Sequence, residues 1–358
     1  MLILFKSRNK LYCKKNFYKY LKIKLISGFF QNTRPFLNLR DMNNNRRKFL
    51  QSSSLLATAY LFGKPLKTFA GISTNTFLNQ RLPLNAVQII HTNDLHGRLH
   101  PFAFGDLHNI GGLHNIHDVI KNKDIAPVLV DSGDFLDANG SFSDHINMIS
   151  QMNKVKYTAV TIGDKELKQG EAYLASLVQY MNFSIVNCNY SFSNPVLKAK
   201  VRPYLVVRFG QYKVGITGVG TLVSAKNITF SQPYKKANEV AGYLKNKLNC
   251  DLVICLSHLG LENKNDGPNN RDFAIQSENI DVIIGGNEKA VMHPQLVLKN
   301  KEKKQVIVST GGFGGSILGT LTFSFNKDRG LQNFNCKNYI PGTVAGSSFY
   351  DNYKKLTA

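Results

Sequence analysis

From Ala86 onward, short apolar runs alternate with helix-like segments, and five of the runs stop abruptly at polar clusters rich in Asp, His and Gly. The clusters read HTNDLHG (91–97), DSGD (131–134), GDKE (163–166), SHLG (257–260) and GGNEK (285–289). Apolar runs with no polar alternation are the pattern of strands buried on both faces, as in α/β sheets. In such sheets the carboxyl ends of the strands are where sites form. The sequence therefore predicts several polar loops gathered along one edge of an α/β fold.

Strands are expected at residues 87–91, 127–131, 158–162, 184–188, 204–209, 213–217, 252–257, 281–284, 305–309 and 318–325, with helices at 112–121, 145–156, 170–181, 234–248 and 271–277. Residues 71–85 read as a linker, 86–326 as the main domain, and the Asn- and Lys-rich stretch 327–358 as a polar C-terminal tail.

The formal charge of +22 first suggests nucleic acid or a membrane surface. Much of it is local. Residues 1–70 hold 15 of the 45 Lys and Arg and one of the 23 acidic residues, leaving 30 − 22, or +8, for the rest. No aromatic–basic motif accompanies that ordinary excess, so nucleic acid is not an expected partner. Arg46-Arg47, then Phe49-Leu50 and a short apolar segment, resemble a twin-arginine export signal at 42–70. Thr68-Phe69-Ala70 offers small residues at a cleavage site. Residues 1–41, upstream of Met42, read as a basic extension or a misplaced start. The expected location is periplasmic, with no hydrophobic span left after the signal. Export permits disulfides, but Cys250 and Cys255 bracket one strand five residues apart. They are expected on opposite faces, as separate buried thiols.

Asp94 and His96 are two residues apart, so an extended loop turns both side chains the same way, toward one metal. Asp134 can bridge two metals through its two oxygens, and His258 adds an imidazole.

The blocks HTNDLHGRLHP, DSGDFLD, SHLG and DVIIGG, in this order, resemble the calcineurin-like metallophosphoesterase superfamily. The Thr-Asn-Asp-x-His-Gly form is similar to its 5′-nucleotidase branch, and VIVSTGGFGGSILGTLTF resembles the closing strands. The resemblance implies a four-layer α/β/β/α sandwich. It also implies two divalent metals (Zn, Mn or Fe) at the strand ends, activating water for in-line attack on a phosphoester. On this resemblance Asp94 and His96 match ligands of the first metal, Asp134 the bridge, and His258 a ligand of the second.

Four positions depart from the family. Its Gly-Asn-His-Glu is Gly163-Asp164-Lys165-Glu166 here, and its Gly-His-x-His is Gly286-Asn287-Glu288-Lys289. Asp164 and Asn287 keep oxygen donors for a hard ion such as Mn²⁺ or Mg²⁺. Lys289 has no free lone pair while protonated. Lys165 stands at the catalytic His position and offers a point charge for phosphate but a poor general acid. The expectation is a phosphomonoester or nucleotide hydrolase by descent, with activity impaired or lost and at most one metal held well. Two readings stay beside it: a pseudoenzyme or scaffold whose lysines replace the metals, and an active one- or two-metal phosphatase, with His293 as a compensating ligand. The family's nucleotidases carry a base-stacking C-terminal domain. The sequence leads us to expect either a separate chain supplying it or a ligand other than a nucleotide.

Overall fold

The computed structural model describes residues 82–105, 107–121, 128–222, 227–262, 267–288 and 295–342. The basic extension, the export signal and most of the linker lie outside them, as do Lys289 and His293. In chain order, β1 (Ala86–Thr92) leads to a hairpin, β2 (Phe102–Phe104) and β3 (Leu107–Ile110), and helix α1 (Leu113–Ile120). Then come β4 (Val128–Asp131), α2 (Phe142–Val155), β5 (Ala159–Val160), the one-turn α3 (Asp164–Leu167), α4 (Glu171–Leu177), β6 (Ser184–Val186) and β7 (Tyr190–Phe192). After α5 (Pro195–Lys200) follow β8 (Val201–Arg202), β9 (Tyr204–Phe209), β10 (Tyr212–Gly220), β11 (Ile228–Phe230), α6 (Pro233–Asn246) and β12 (Leu252–His258). The described chain closes with α7 (Asn270–Gln276), β13 (Val282–Gly285), β14 (Leu296–Lys299), β15 (Gln305–Thr310), β16 (Leu318–Phe325) and β17 (Leu331–Tyr339).

Two sheets carry the fold, a seven-stranded one in the order β17-β16-β1-β4-β5-β6-β8 and a six-stranded one in the order β14-β15-β13-β12-β10-β9. Period-2 alternation decides which core each side chain joins. In β12, Leu252, Ile254 and Leu256 enter the core between the sheets, while Val253 and Cys255 face the other way. In β1, Ile89 joins the inter-sheet core and Ile90 the core under the helices. Met148, Ile149 and Met152 of α2 and Leu174 and Leu177 of α4 cover the first sheet. Ala237, Ala241 and Leu244 of α6 and Phe273 of α7 cover the second. The result is the expected α/β/β/α sandwich. Both faces of the central strands are buried, which is why they read as unbroken apolar runs.

Helix α2 starts where its sequence says it should. Ser141 accepts from the Asp144 N–H at 3.3 Å and donates its own N–H to Asp144 Oδ2 at 3.0 Å, a reciprocal capping box.

Two expectations are corrected. The stretch read as a polar tail includes β17, an edge strand paired antiparallel with β16 along Leu318↔Tyr339 to Phe325↔Leu331. Its outer side is open to solvent, so it needs no apolar alternation. Cys250 lies before β12, after a left-handed turn at Asn249 (φ 53°). Both Cys250 and Cys255 therefore pack into the helix-covered core of the second sheet, and both remain free thiols. Among the described residues no helix is long and apolar enough to cross a membrane.

Candidate active site

Parallel pairing aligns the carboxyl ends of β1 and β4 (Thr92↔Asp131), and of β12 and β13 (Ser257↔Gly285). The loops leaving those ends, with the loop after β5, carry the candidate residues. Asp94, His96 and Asp134 hold left-handed φ values of 50°, 47° and 57°, and Asn287 one of 61°. Four non-glycine residues in this sparsely populated region mark loops whose conformation is imposed by their surroundings. Those surroundings are backbone hydrogen bonds: Asp94 N–H to Gly133 O (3.0 Å), His96 N–H to Asp134 O (2.8 Å) and Gly314 N–H to Asp94 O (2.7 Å).

The side chains converge in two triads sharing Asp134: Asp94, His96 and Asp134, and Asp134, Asp164 and His258. His96 Nε2 lies 3.8 Å from Asp94 Oδ1 and 3.6 Å from Asp134 Oδ2. His258 Nε2 lies 3.4 Å from Asp134 Oδ2 and 3.3 Å from Asp164 Oδ1. Both nitrogens are buried and neither makes a hydrogen bond. Two donors at about 2.1 Å from a tetrahedral ion stand about 3.4 Å apart. The spacings and the orphaned nitrogens therefore fit a cation in each triad. His258 is fully buried, and its Nδ1 donates to Ser132 O at 2.8 Å, which leaves Nε2 as the free donor atom.

Lys165 complicates that fit. Its ammonium lies 2.9 Å from Asp134 Oδ2 and 3.0 Å from Asp164 Oδ2, and its backbone N–H donates to Asp134 Oδ1 at 2.9 Å. A fixed cation thus already sits on the carboxylate common to both triads. Asp94 is held by Asn93 Nδ2 (2.8 Å) and by the backbone N–H groups of Asn287 (3.1 Å) and Glu288 (3.3 Å). Asn287 therefore enters the site through its backbone. Lys289, the position with the strongest expected effect, lies outside the described residues, as does His293.

The charges are mutually dependent. Burial disfavours the His258 imidazolium, but Asp134 and Asp164 outweigh it and raise the pKa well above the usual imidazole value. For His96 burial is likewise outweighed by Asp134 and Asp94, which bring its pKa to about 9. Burial opposes ionisation of Asp134, yet His258 and His96 hold its carboxyl far below the usual range. Lys165 loses some solvation by burial, and its two carboxylate partners still raise its pKa. Without another cation, the two imidazoles and the lysine share the work of neutralising three carboxylates.

Residues with no assigned role in the sequence complete the frame. Glu166, 1% exposed, accepts the backbone N–H groups of Asp134 (2.9 Å), Leu136 (2.9 Å) and Gly163 (2.8 Å). It ties the loop after β5 to the loop after β4. Asp131 accepts from Thr92 Oγ1 (2.6 Å) and Gly133 N–H (2.9 Å) under the same loops, and burial brings its pKa to about 7. Asn93 Oδ1 accepts Gly311 N–H at 2.6 Å, fastening the glycine-rich turn after β15. Glu166 and Asp131 belong to the clusters GDKE and DSGD themselves, and that membership was the available signal. Gly163 has a steric reason as well. A Cβ there would collide with Asp134 Oδ1 and stand 2.8 Å from His258 Nε2.

A family model for calcineurin-like phosphoesterases matches residues 87–288, and the chain belongs to that family. The trifunctional nucleotide phosphoesterase protein YfkN of Bacillus subtilis is 24% identical over 286 residues, covering 68% of this chain and 18% of that protein. A 5′-nucleotidase of Vibrio cholerae is 27% identical over 236 residues, covering 59% of this chain and 42% of that protein. The chain spans less than half the length of these curated relatives. Among solved structures, the 5′-nucleotidase precursor of Thermus thermophilus matches with a TM-score of 0.63 at 24% identity, covering 72% of this chain and 55% of that one. The calcineurin-like phosphoesterase YfkN of Bacillus subtilis matches at 0.55 and 20% identity, covering 76% and 96%. At such identities the structural likeness defines the fold.

Proposed function

We propose that the chain is an exported, 5′-nucleotidase-like phosphoesterase whose hydrolysis of phosphomonoesters is impaired, with Lys165 acting as a fixed counter-ion and at most one divalent ion held well. The observation that carries this reading is the Lys165 ammonium within 3.0 Å of both Asp134 and Asp164. Divalent ions, where bound, supply an activated water and neutralise charge on the phosphoryl group. The residues that would hold them are Asp94, His96, Asp134, Asp164 and His258. The chain's own groups do the rest. Ser132 O orients His258, Glu166 holds two ligand loops in register, and Lys165 offers a positive charge to a phosphate. The ion pairs that raise the Lys165 pKa also leave it a poor proton donor near neutral pH.

An active one- or two-metal phosphatase is the second reading, favoured by the Nε2 atoms of His96 and His258, one in each triad, neither of which makes a hydrogen bond. Metal analysis of the purified chain, with phosphomonoester assays in Mn²⁺, separates the two. The proposal expects no more than one ion per chain and little turnover. Two tightly bound ions with efficient turnover would overturn it. Lys165→Met, which removes the ammonium, should increase metal uptake.

A further inference from the structure

Outside the candidate active site, one pair of metal-binding side chains is held together with no other work to do. His100 follows four residues after His96, and His114 stands in the first turn of α1. Their rings meet edge to face, with centroids 4.7 Å apart and planes at 88°. The backbone sets this approach. Leu113 N–H donates to Arg98 O and His114 N–H to Leu99 O, both at 3.0 Å. Gly112, at φ 76°, allows it, because a Cβ there would stand 2.5 Å from the carbonyl carbon and oxygen of His100. Among the described residues neither ring has a hydrogen-bond partner. His100 is exposed and His114 half-buried.

We propose that His100 and His114 form a second cation site, open to solvent, that takes late first-row divalent ions such as Cu²⁺, Ni²⁺ and Zn²⁺ through two imidazole nitrogens. Imidazole without carboxylate selects these ions over Mg²⁺ and Ca²⁺, which need oxygen donors. Asp118, one helical turn along from His114, is bound to Lys121 Nζ at 2.7 Å, and His117, exposed on the same helix, is not packed against His100 as His114 is. The remaining positions face water, beside a cleft of about 310 Å³ lined by Arg98, His100, Asp137 and Asp144. A backbone that already brings the two rings together lowers the ordering cost of binding a shared ion.

The test uses Cu²⁺ as probe, in the full chain carrying Asp134→Asn, which removes the carboxylate common to both triads. The EPR spectrum should show coupling to two nitrogens. His100→Gln and His114→Gln should each weaken copper binding by about tenfold or more, since the second ring then no longer contributes at high effective concentration. A second measurement needs no active-site substitution: in NMR spectra of the histidine rings, substoichiometric Cu²⁺ should broaden His100 and His114 together. No copper uptake, affinity unchanged by either glutamine substitution, or broadening of one ring without the other would overturn the proposal.

Discussion

His91 is the clearest single-residue case of burial setting chemistry. It is fully buried at the end of β1, with Nε2 2.9 Å from Ser309 Oγ, and its ring fills the space that a Cβ on Gly319 would take. Burial pushes its pKa down to about 3. The unfolded chain binds a proton there below about 6.5, and the folded chain does not until about pH 3. Its contribution is therefore complete above pH 6.5 and is lost as pH falls, at about 1.4 kcal/mol per pH unit. Urea unfolding at pH 7 and pH 5 should show an acid loss that is smaller in His91→Gln by about 2 kcal/mol. The departures from the family motifs give the second residue-scale prediction. Asp164→Asn, Lys165→His, Asn287→His and Lys289→His together should raise metal affinity and phosphatase turnover above the parent. Lys289→His should act mainly on affinity and Lys165→His mainly on turnover, because it restores a group that titrates near neutral pH. The single changes are expected to be non-additive, since ligands act as a unit. Metal analysis and turnover measured on the quadruple and single variants check both statements.

At the scale of elements, the site depends on two loops held at a fixed separation, and α3 supplies the clamp. Glu166 presents two carboxylate oxygens to three N–H donors across the two loops. Glu166→Gln keeps the shape but turns one oxygen into an amide donor facing a backbone donor. That should cost about 1–3 kcal/mol, read as a lower urea midpoint at unchanged slope. Gly163, immediately before α3, is the other element-scale constraint. Gly163→Ala places a methyl group against Asp134 and His258. The substitution should reduce both metal uptake and stability, because the methyl group would also stand 2.6 Å from the Asp134 backbone nitrogen, so the loop after β4 must shift along with two buried side chains. Metal uptake lost at an unchanged urea midpoint would show that the loop yields without cost. The hairpin of β2 and β3, by contrast, joins Phe102 and Phe104 to Phe313, at ring distances of 5.5 and 5.1 Å, in a small cluster of its own.

At the scale of the whole molecule, charge divides the chain. The first 70 residues carry most of the positive excess. Twin arginines before a short apolar segment fit an address for export of a folded protein, and the four described cysteines are free thiols, so no disulfide need form before folding. Arg46→Lys with Arg47→Lys should hold the protein in the cytoplasm. Cell fractionation checks this, and unchanged secretion of the double variant would sink the export proposal.

Local pattern along the chain accounts for one part of this fold. The alternation in β1 and β12 sorts Ile89 from Ile90, and Leu252 from Val253, into different cores, and it does so through a period of two that any reader of the chain can follow. That Asp94, His96, Asp134, Asp164 and His258 would lie near one another was legible for a related reason. Each lies where an apolar run gives way to polar residues, and parallel strands bring such ends to one edge. Contacts between distant segments were not legible, because no local preference encodes them. His258 takes its orientation from Ser132, 126 residues earlier, and Asp94 is held by Asn287, 193 residues later. The role of Glu166 depends on two loops arriving within 3 Å of it, and β17 is a strand only because β16 offers an open edge. The same holds for Lys165. Its spacing in the motif marked the substitution, but the packing of three strand ends decided that its ammonium would rest on Asp134 and Asp164, where a charge lacking solvent must find opposite charge.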